Sequence, residues 1–108
     1  MIRWRSVEKR KPHFDLSTVK RLAKSPASRM ITRQAFKDAA LLGLEETDIV
    51  ECVAQLTQQH FYKSMTVHTS SQLWQDVYHL VHQETPLYVK VQLDATAETV
   101  VIVSFKAR

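Results

Sequence analysis

Apolar side chains recur at helical spacing through most of the first sixty residues and then alternate. After Asp15, a residue suited to an N-cap, Leu16, Val19, Leu22 and Ala23 recur three and four apart while Lys20, Arg21 and Lys24 point elsewhere. This spacing predicts a short amphipathic helix closed by Ser25-Pro26. A second helix is expected from Thr32, presenting Ala35, Phe36, Ala39 and Ala40. It ends at Gly43, the chain's single glycine, in the position after the helix where the left-handed conformation is needed. Asp48 and Glu51 have capping-box spacing and open a third helix, with Ile49, Val50, Val53 and Leu56 on its apolar side, which runs out near 58–60. Residues 1–14, MIRWRSVEKRKPHF, have no period and mix basic with aromatic side chains, so they read as an extended, partly mobile arm.

Beyond His60, β-branched and aromatic residues dominate and the period drops to two. Four strands are expected over 61–68, 74–80, 87–93 and 99–106, joined by polar connections such as Thr69-Ser70-Ser71 and Asp94-Ala95-Thr96. Links this short favour antiparallel neighbours. Helices followed by a meander of strands define an α+β domain, with three N-terminal helices on one face of a mainly four-stranded antiparallel sheet. The opposite face is left to water or a ligand. Leu87, Val89, Val91 and Leu93 form an inward row, and Tyr88, Lys90 and Gln92 an outward one. In the last strand Val101, Val103 and Phe105 are expected inward, with Ile102, Ser104 and Lys106 outward. Phe61 shares a parity with Lys63, and Trp74 with Asp76, so the first two strands need a bulge or twist before their faces can be assigned.

The 108 residues suit a single domain over 1–108, large enough for a core without staples. Cys52 has no partner within the chain, which fits a reducing compartment. No apolar run approaches the roughly 18 residues of a membrane span, and 1–11 is too charged for a signal peptide, so a cytoplasmic protein is expected. Charge is uneven along the chain. Residues 1–37 hold eleven Lys or Arg against Glu8 and Asp15, a net +9, while 38–108 hold four bases against nine acids, a net −5. The basic half is a candidate footprint for a polyanion.

Five histidines raise the question of a metal, but His13, His60 and His68 fall in separate segments and Cys52 is isolated, so no metal site is expected. No cofactor is expected either, since one glycine cannot build a phosphate-cradling loop, and no serine sits in a nucleophile elbow. What remains is Lys63, Gln75, Tyr88 and Lys106 on the strands, with Tyr62, Met65 and Lys90 nearby in sequence and Lys20 and Arg21 on the first helix as further candidates for RNA contact. Cations with an aromatic ring suit a phosphodiester and a base. Singly, each is equally a solvated strand residue. Cleaving RNA requires deprotonation of a 2′-hydroxyl, stabilisation of the phosphorane charge and protonation of the leaving 5′-oxygen, none of which needs a metal. Which residue is acid and which is base stays open, and binding without cleavage stays open with it.

Four blocks carry a resemblance: FYKSMT at 61–66, WQDVY at 74–78, YVKV at 88–91 and VIVSFK at 101–106. Together with EKRKPH at 8–13 and ITRQAFKDAALLGLEE at 31–46, they resemble the MqsR toxins, bacterial mRNA interferases with a RelE-like fold. The resemblance implies a metal- and ribosome-independent endoribonuclease that cuts mRNA at GC-containing triplets and arrests growth. It also implies a cognate MqsA-like antitoxin, with a zinc-binding part that neutralises the toxin and a helix-turn-helix part that contacts DNA. The family's functional lysine, glutamine, tyrosine and second lysine fall on Lys63, Gln75, Tyr88 and Lys106. The chain departs from the pattern in three places. About six residues precede the usual start, with Trp4 between Arg3 and Arg5. Val67 stands where many members have threonine. The stretch HLVHQETP at 79–86 lacks the arginine that members commonly place there.

Overall fold

The computed structural model describes residues 6–67 and 70–108. Asp15 caps the first helix through its carboxylate, which accepts from the Thr18 amide at 3.0 Å, and α1 (Leu16–Ala23) buries the expected Leu16, Val19, Leu22 and Ala23. Thr32 caps α2 (Arg33–Leu41), accepting from the Ala35 amide at 3.1 Å. Gly43 takes φ of 75°, and the amides of Gly43 and Leu44 donate back to Ala40 and Ala39, closing the helix as a Schellman motif. Only Ala35 and Ala39 of this helix are buried; Phe36 and Ala40, expected on its inner stripe, are exposed. The helix packs on β6 near one edge of the sheet, so a single ridge of small residues meets it. The third helix, α3 (Glu46–Ala54), begins before Asp48 rather than at it. Its capping box is Glu45 with Asp48, whose carboxylate accepts from the Glu45 amide at 2.8 Å. Ile49, Cys52 and Val53 are buried, and burial, with Glu51 and Asp48 nearby, pushes the Cys52 thiol up to about 12, which leaves it inert at neutral pH.

The strands are β1 (Glu8–Lys9), β2 (Arg29–Ile31), β3 (Phe61–Val67), β4 (Ser70–His82), β5 (Thr85–Leu93) and β6 (Val100–Ala107). They form one sheet in the order β1-β3-β4-β5-β6-β2. The four central strands are antiparallel, as expected. Two short edge strands were not: β1 pairs antiparallel with β3, and β2 runs parallel to β6, which makes the sheet six-stranded and mixed. Segments of two and three residues carry no period from which to read them. Part of the expected arm is therefore an ordered sheet edge, while its first five residues, Trp4 with Arg3 and Arg5 among them, lie outside the described residues, as do His68 and Thr69. The strand expected from Trp74 starts at Ser70, inside the expected connection.

One core fills the space between the helices and the sheet, joining the buried faces of all three helices to Tyr78, Leu80, Leu87, Val89, Val91, Leu93, Val100, Ile102 and Phe105. The row on β5 is as expected. On β6 the parity is corrected: Val100 and Ile102 are buried while Val101 and Val103 are not. The β5–β6 register shifts between Lys90↔Ser104 and Val91↔Ile102, so Val103 is an extra residue that inverts the alternation and returns Phe105 to the core.

Candidate functional site

Bulges decide what the face away from the helices carries. Phe61 pairs with Tyr78 and Lys63 with Val77, so Tyr62 is the extra residue. Phe61 turns towards the core, where its ring meets Tyr78 edge-on at 5.6 Å, and Lys63 turns to the open face. This is the irregularity that the shared parity of Phe61 and Lys63 demands. Register then puts Met65, Gln75, Val77, His79, Tyr88, Lys90, Gln92, Ser104 and Lys106 on the open face with Lys63. Val77 is fully buried although it points away from the helices. Its neighbours across the strands are Lys63 and Lys90, whose alkyl stems can cover it while their charges stay wet.

The lysines and Tyr88 form one electrostatic group. The ammonium groups of Lys106 and Lys90 stand 5.0 and 5.8 Å from the centre of the Tyr88 ring. Burial, then Lys106 and Lys63, pulls the Lys90 ammonium below the usual lysine range. Burial raises the Tyr88 phenol, against the opposing pull of Lys63, so the phenol stays protonated at neutral pH. The Lys63 ammonium donates to the Glu8 carboxylate at 2.5 Å, and that bond holds the Glu8 carboxyl below the usual range. Gln75 donates to the Gln92 side-chain oxygen at 2.7 Å, which fixes the orientation of its amide.

The basic segment at 8–14 wraps the β3 edge and serves both faces. Glu8 and Arg10 reach the open side, where the Arg10 guanidinium stands 5.4 Å from the Tyr62 ring centre and donates to the Tyr62 carbonyl. Lys9 and His13 reach the other side. The Lys9 ammonium sits 4.2 Å from the Trp74 ring centre, and the His13 ring stacks on Trp74 at 5.4 Å. Asp76, fully buried, anchors this segment by accepting from the backbone amides of His13 and Phe14. The aspartate of the WQDVY block is thus the clamp for the end of the EKRKPH block and the phenylalanine after it.

The fold brings the expected Lys63, Gln75, Tyr88 and Lys106 to one face, and Tyr62, Met65 and Lys90 with them. It does not bring Lys20 or Arg21. Both stand on α1 in the helical layer, where the Lys20 ammonium donates to the Leu56 carbonyl at 2.8 Å. Sequence reasoning missed Glu8, Arg10, His79 and Arg108. The His79 ring stacks on Tyr62 with centres 4.2 Å apart, lies 5.9 Å from the Tyr88 ring and faces Arg108, whose guanidinium donates to His79 Nδ1 at 3.1 Å. A histidine in an outward strand position opposite Tyr88 was the available signal. His79 and His82, three apart, project to opposite faces because the segment is a strand. His82 gathers with Asp48 and Glu51 on the helical side, their candidate ligand atoms within 4.8 Å of one another, but Asp48 is already engaged as the cap of α3.

The site is an open face, not a pocket. The described cleft lined by Pro26, Arg29, Ile31, Phe36 and Glu46 contains none of these residues. Fold and face together define a class: a small α+β domain that displays cations and aromatic rings on one side of a bulged sheet. Residues 11–107 match the family model described as "Motility quorum-sensing regulator, toxin of MqsA". The chain is also 37% identical over 102 residues to the mRNA interferase toxin MqsR of Escherichia coli strain K12, covering 94% of this chain and all of that protein. The chain belongs to the MqsR toxin family.

Proposed function

We propose that this protein is the toxin of a toxin–antitoxin pair, an endoribonuclease that cuts mRNA without a metal and without the ribosome. Cleavage at GC-containing triplets yields 2′,3′-cyclic phosphate and 5′-hydroxyl ends and stops growth. The observation that carries this reading is the gathering of Lys90 and Lys106 over the Tyr88 ring, with Lys63 near enough to act on Tyr88 and Lys90 electrostatically, on an open sheet face of a chain matched over nearly its whole length by a relative named as an mRNA interferase. A flat cationic face accommodates an extended polymer better than a pocket does.

In this reading the lysine ammoniums stabilise the charge that builds on the phosphorane oxygens, where partial desolvation strengthens each contact. A phosphate displaces Glu8 from Lys63 by offering a competing anion. Tyr88, held protonated, supplies a proton to the leaving oxygen, and Gln75 positions the chain as a neutral donor. Tyr62 and Met65 offer surfaces on which a base can stack, and Lys90 adds charge. The fold is read as RelE-like, the site of action as the bacterial cytoplasm, and the partner as an MqsA-like antitoxin that binds zinc and contacts DNA through a helix-turn-helix. Regulated expression of wild type beside Lys63→Ala tests this: growth arrest and degraded transcripts with wild type alone are expected. Equal behaviour of the two proteins at equal abundance overturns the assignment.

A further inference from the structure

The proposed reaction lacks a proton acceptor for the 2′-hydroxyl, and beside the lysines and tyrosines the open face holds two candidates: the Glu8 carboxylate, which the Lys63 ammonium already engages, and His79. His79 lies within the group: Tyr62 is stacked on it from β3, Tyr88 faces it from β5, and Arg108 reaches it from beyond β6. Lys63 of β3 acts on it electrostatically, Lys90 and Lys106 surround the neighbouring Tyr88, and Glu8 and Arg10 border it through Lys63 and Tyr62. Burial, then Arg108 and Lys63, holds its imidazole below the usual histidine range, so the ring is neutral at pH 7.

A guanidinium has no acceptor, so the Arg108 bond assigns the lone pair to Nδ1 and the hydrogen of the neutral ring to Nε2. The basic nitrogen is therefore the one that Arg108 covers. A phosphate attracts a guanidinium far better than a neutral imidazole does, because it is charged and can be held by two parallel hydrogen bonds. Resting on the reading of this face as the cleavage site, we infer that His79 is the proton acceptor of the reaction and that Arg108 gates it, releasing Nδ1 when a substrate phosphate draws the guanidinium away.

In the step, the 2′-O–H bond breaks and its proton passes to Nδ1 while the 2′-oxygen bonds to phosphorus. The bond from phosphorus to the 5′-oxygen breaks, and that oxygen takes the Tyr88 phenolic proton. The products are a 2′,3′-cyclic phosphate and a 5′-hydroxyl. Water then carries the extra proton from the imidazolium to the phenolate and restores both groups.

The test is the pH dependence of kcat/KM on a transcript that the wild type cleaves, from pH 4.5 to 8.5, with chelator present. The wild type should lose activity as pH falls, with a midpoint below about 6.5, because protonation removes the base. His79→Gln should lower the plateau about 100-fold and abolish this limb, while Glu8→Gln, which removes the rival carboxylate, should keep it. Arg108→Ala deletes a neighbouring cation from an exposed position, so the limb should move up towards pH 6.5. Matched thermal melts keep a folding defect apart from these effects. A limb unchanged in His79→Gln, or lost in Glu8→Gln, overturns the assignment of the base, and a limb unmoved in Arg108→Ala overturns the gate. Intact RNA at every pH with wild type and Lys63→Ala alike overturns the cleavage reading itself, and this inference with it.

Discussion

Replacing Asp76 by asparagine should destabilise the protein while leaving the face of lysines in place. The carboxylate is fully buried and accepts from the His13 amide at 3.0 and 3.1 Å and from the Phe14 amide at 2.9 Å. Asparagine has nearly the same shape but offers one acceptor oxygen, and its amide nitrogen confronts a donor with another donor. With its oxygen in the place of the carboxylate oxygen that both amides share, asparagine turns two charge-assisted bonds into neutral ones, and its amide nitrogen opposes the His13 amide at the 3.1 Å contact. Opposing two buried donors and weakening both bonds costs about 2–3 kcal/mol, and relief from burying a charge offsets part of the loss, for a net of about 2 kcal/mol. At about 4 °C per kcal/mol for a domain of this length, Tm should fall by about 8 °C. Thermal denaturation followed by far-ultraviolet circular dichroism at pH 7 measures this. Hydrogen exchange at the His13 and Phe14 amides should accelerate at temperatures well below the melt. A Tm within about 1 °C of wild type, with those amides still protected, would refute the clamp.

Three further outcomes follow from the geometry. Gln83 and Glu84 hold φ of 50° and 68° in the two-residue turn between β4 and β5, so the double change to Asn-Gly should stabilise by about 1 kcal/mol and raise Tm by about 4 °C. The amides of Thr99 and Glu98 donate to Asp94 and hold its carboxyl below the usual range. A depressed carboxylate contributes stability above its unfolded pKa, near 3.9, and loses it as pH falls through the folded value; urea midpoints at pH 7 and pH 3 should therefore differ more in wild type than in Asp94→Asn. In RNA-binding titrations against salt, Lys90→Gln or Arg10→Gln should each reduce the slope of log K by about one, whereas neutralising Lys20 and Arg21 should leave it unchanged, because both lie in the helical layer.

Periodicity made the helices and the central strands legible because each buries a regular stripe. The failures have local causes. A helix on a sheet edge buries two alanines where its pattern offers four apolar residues, so Phe36 and Ala40 misled. The capping box of α3 begins at Glu45, a residue type with weak capping preference, so the helix start was read three residues late. Edge strands of two or three residues leave no signature, and Val103 shows how one bulge reverses the parity of a strand whose first four residues, Val100 to Val103, are all β-branched. At the site, the motif positions were readable, but Glu8, Arg10 and Arg108 come from segments distant in sequence that only the sheet edge and the β5–β6 register bring to Lys63, Tyr62 and His79.

The proposed cleavage of RNA rests on the side chains of the open face. It is tested most directly by incubating purified, chelator-treated protein with a 5′-labelled mRNA and mapping the ends produced by wild type and by Lys63→Ala of matched thermal stability. Wild type should release fragments that share a short GC-containing motif and carry 2′,3′-cyclic phosphate, and Lys63→Ala should release few or none. RNA left intact by folded wild type, or cut identically by both proteins, would contradict the account.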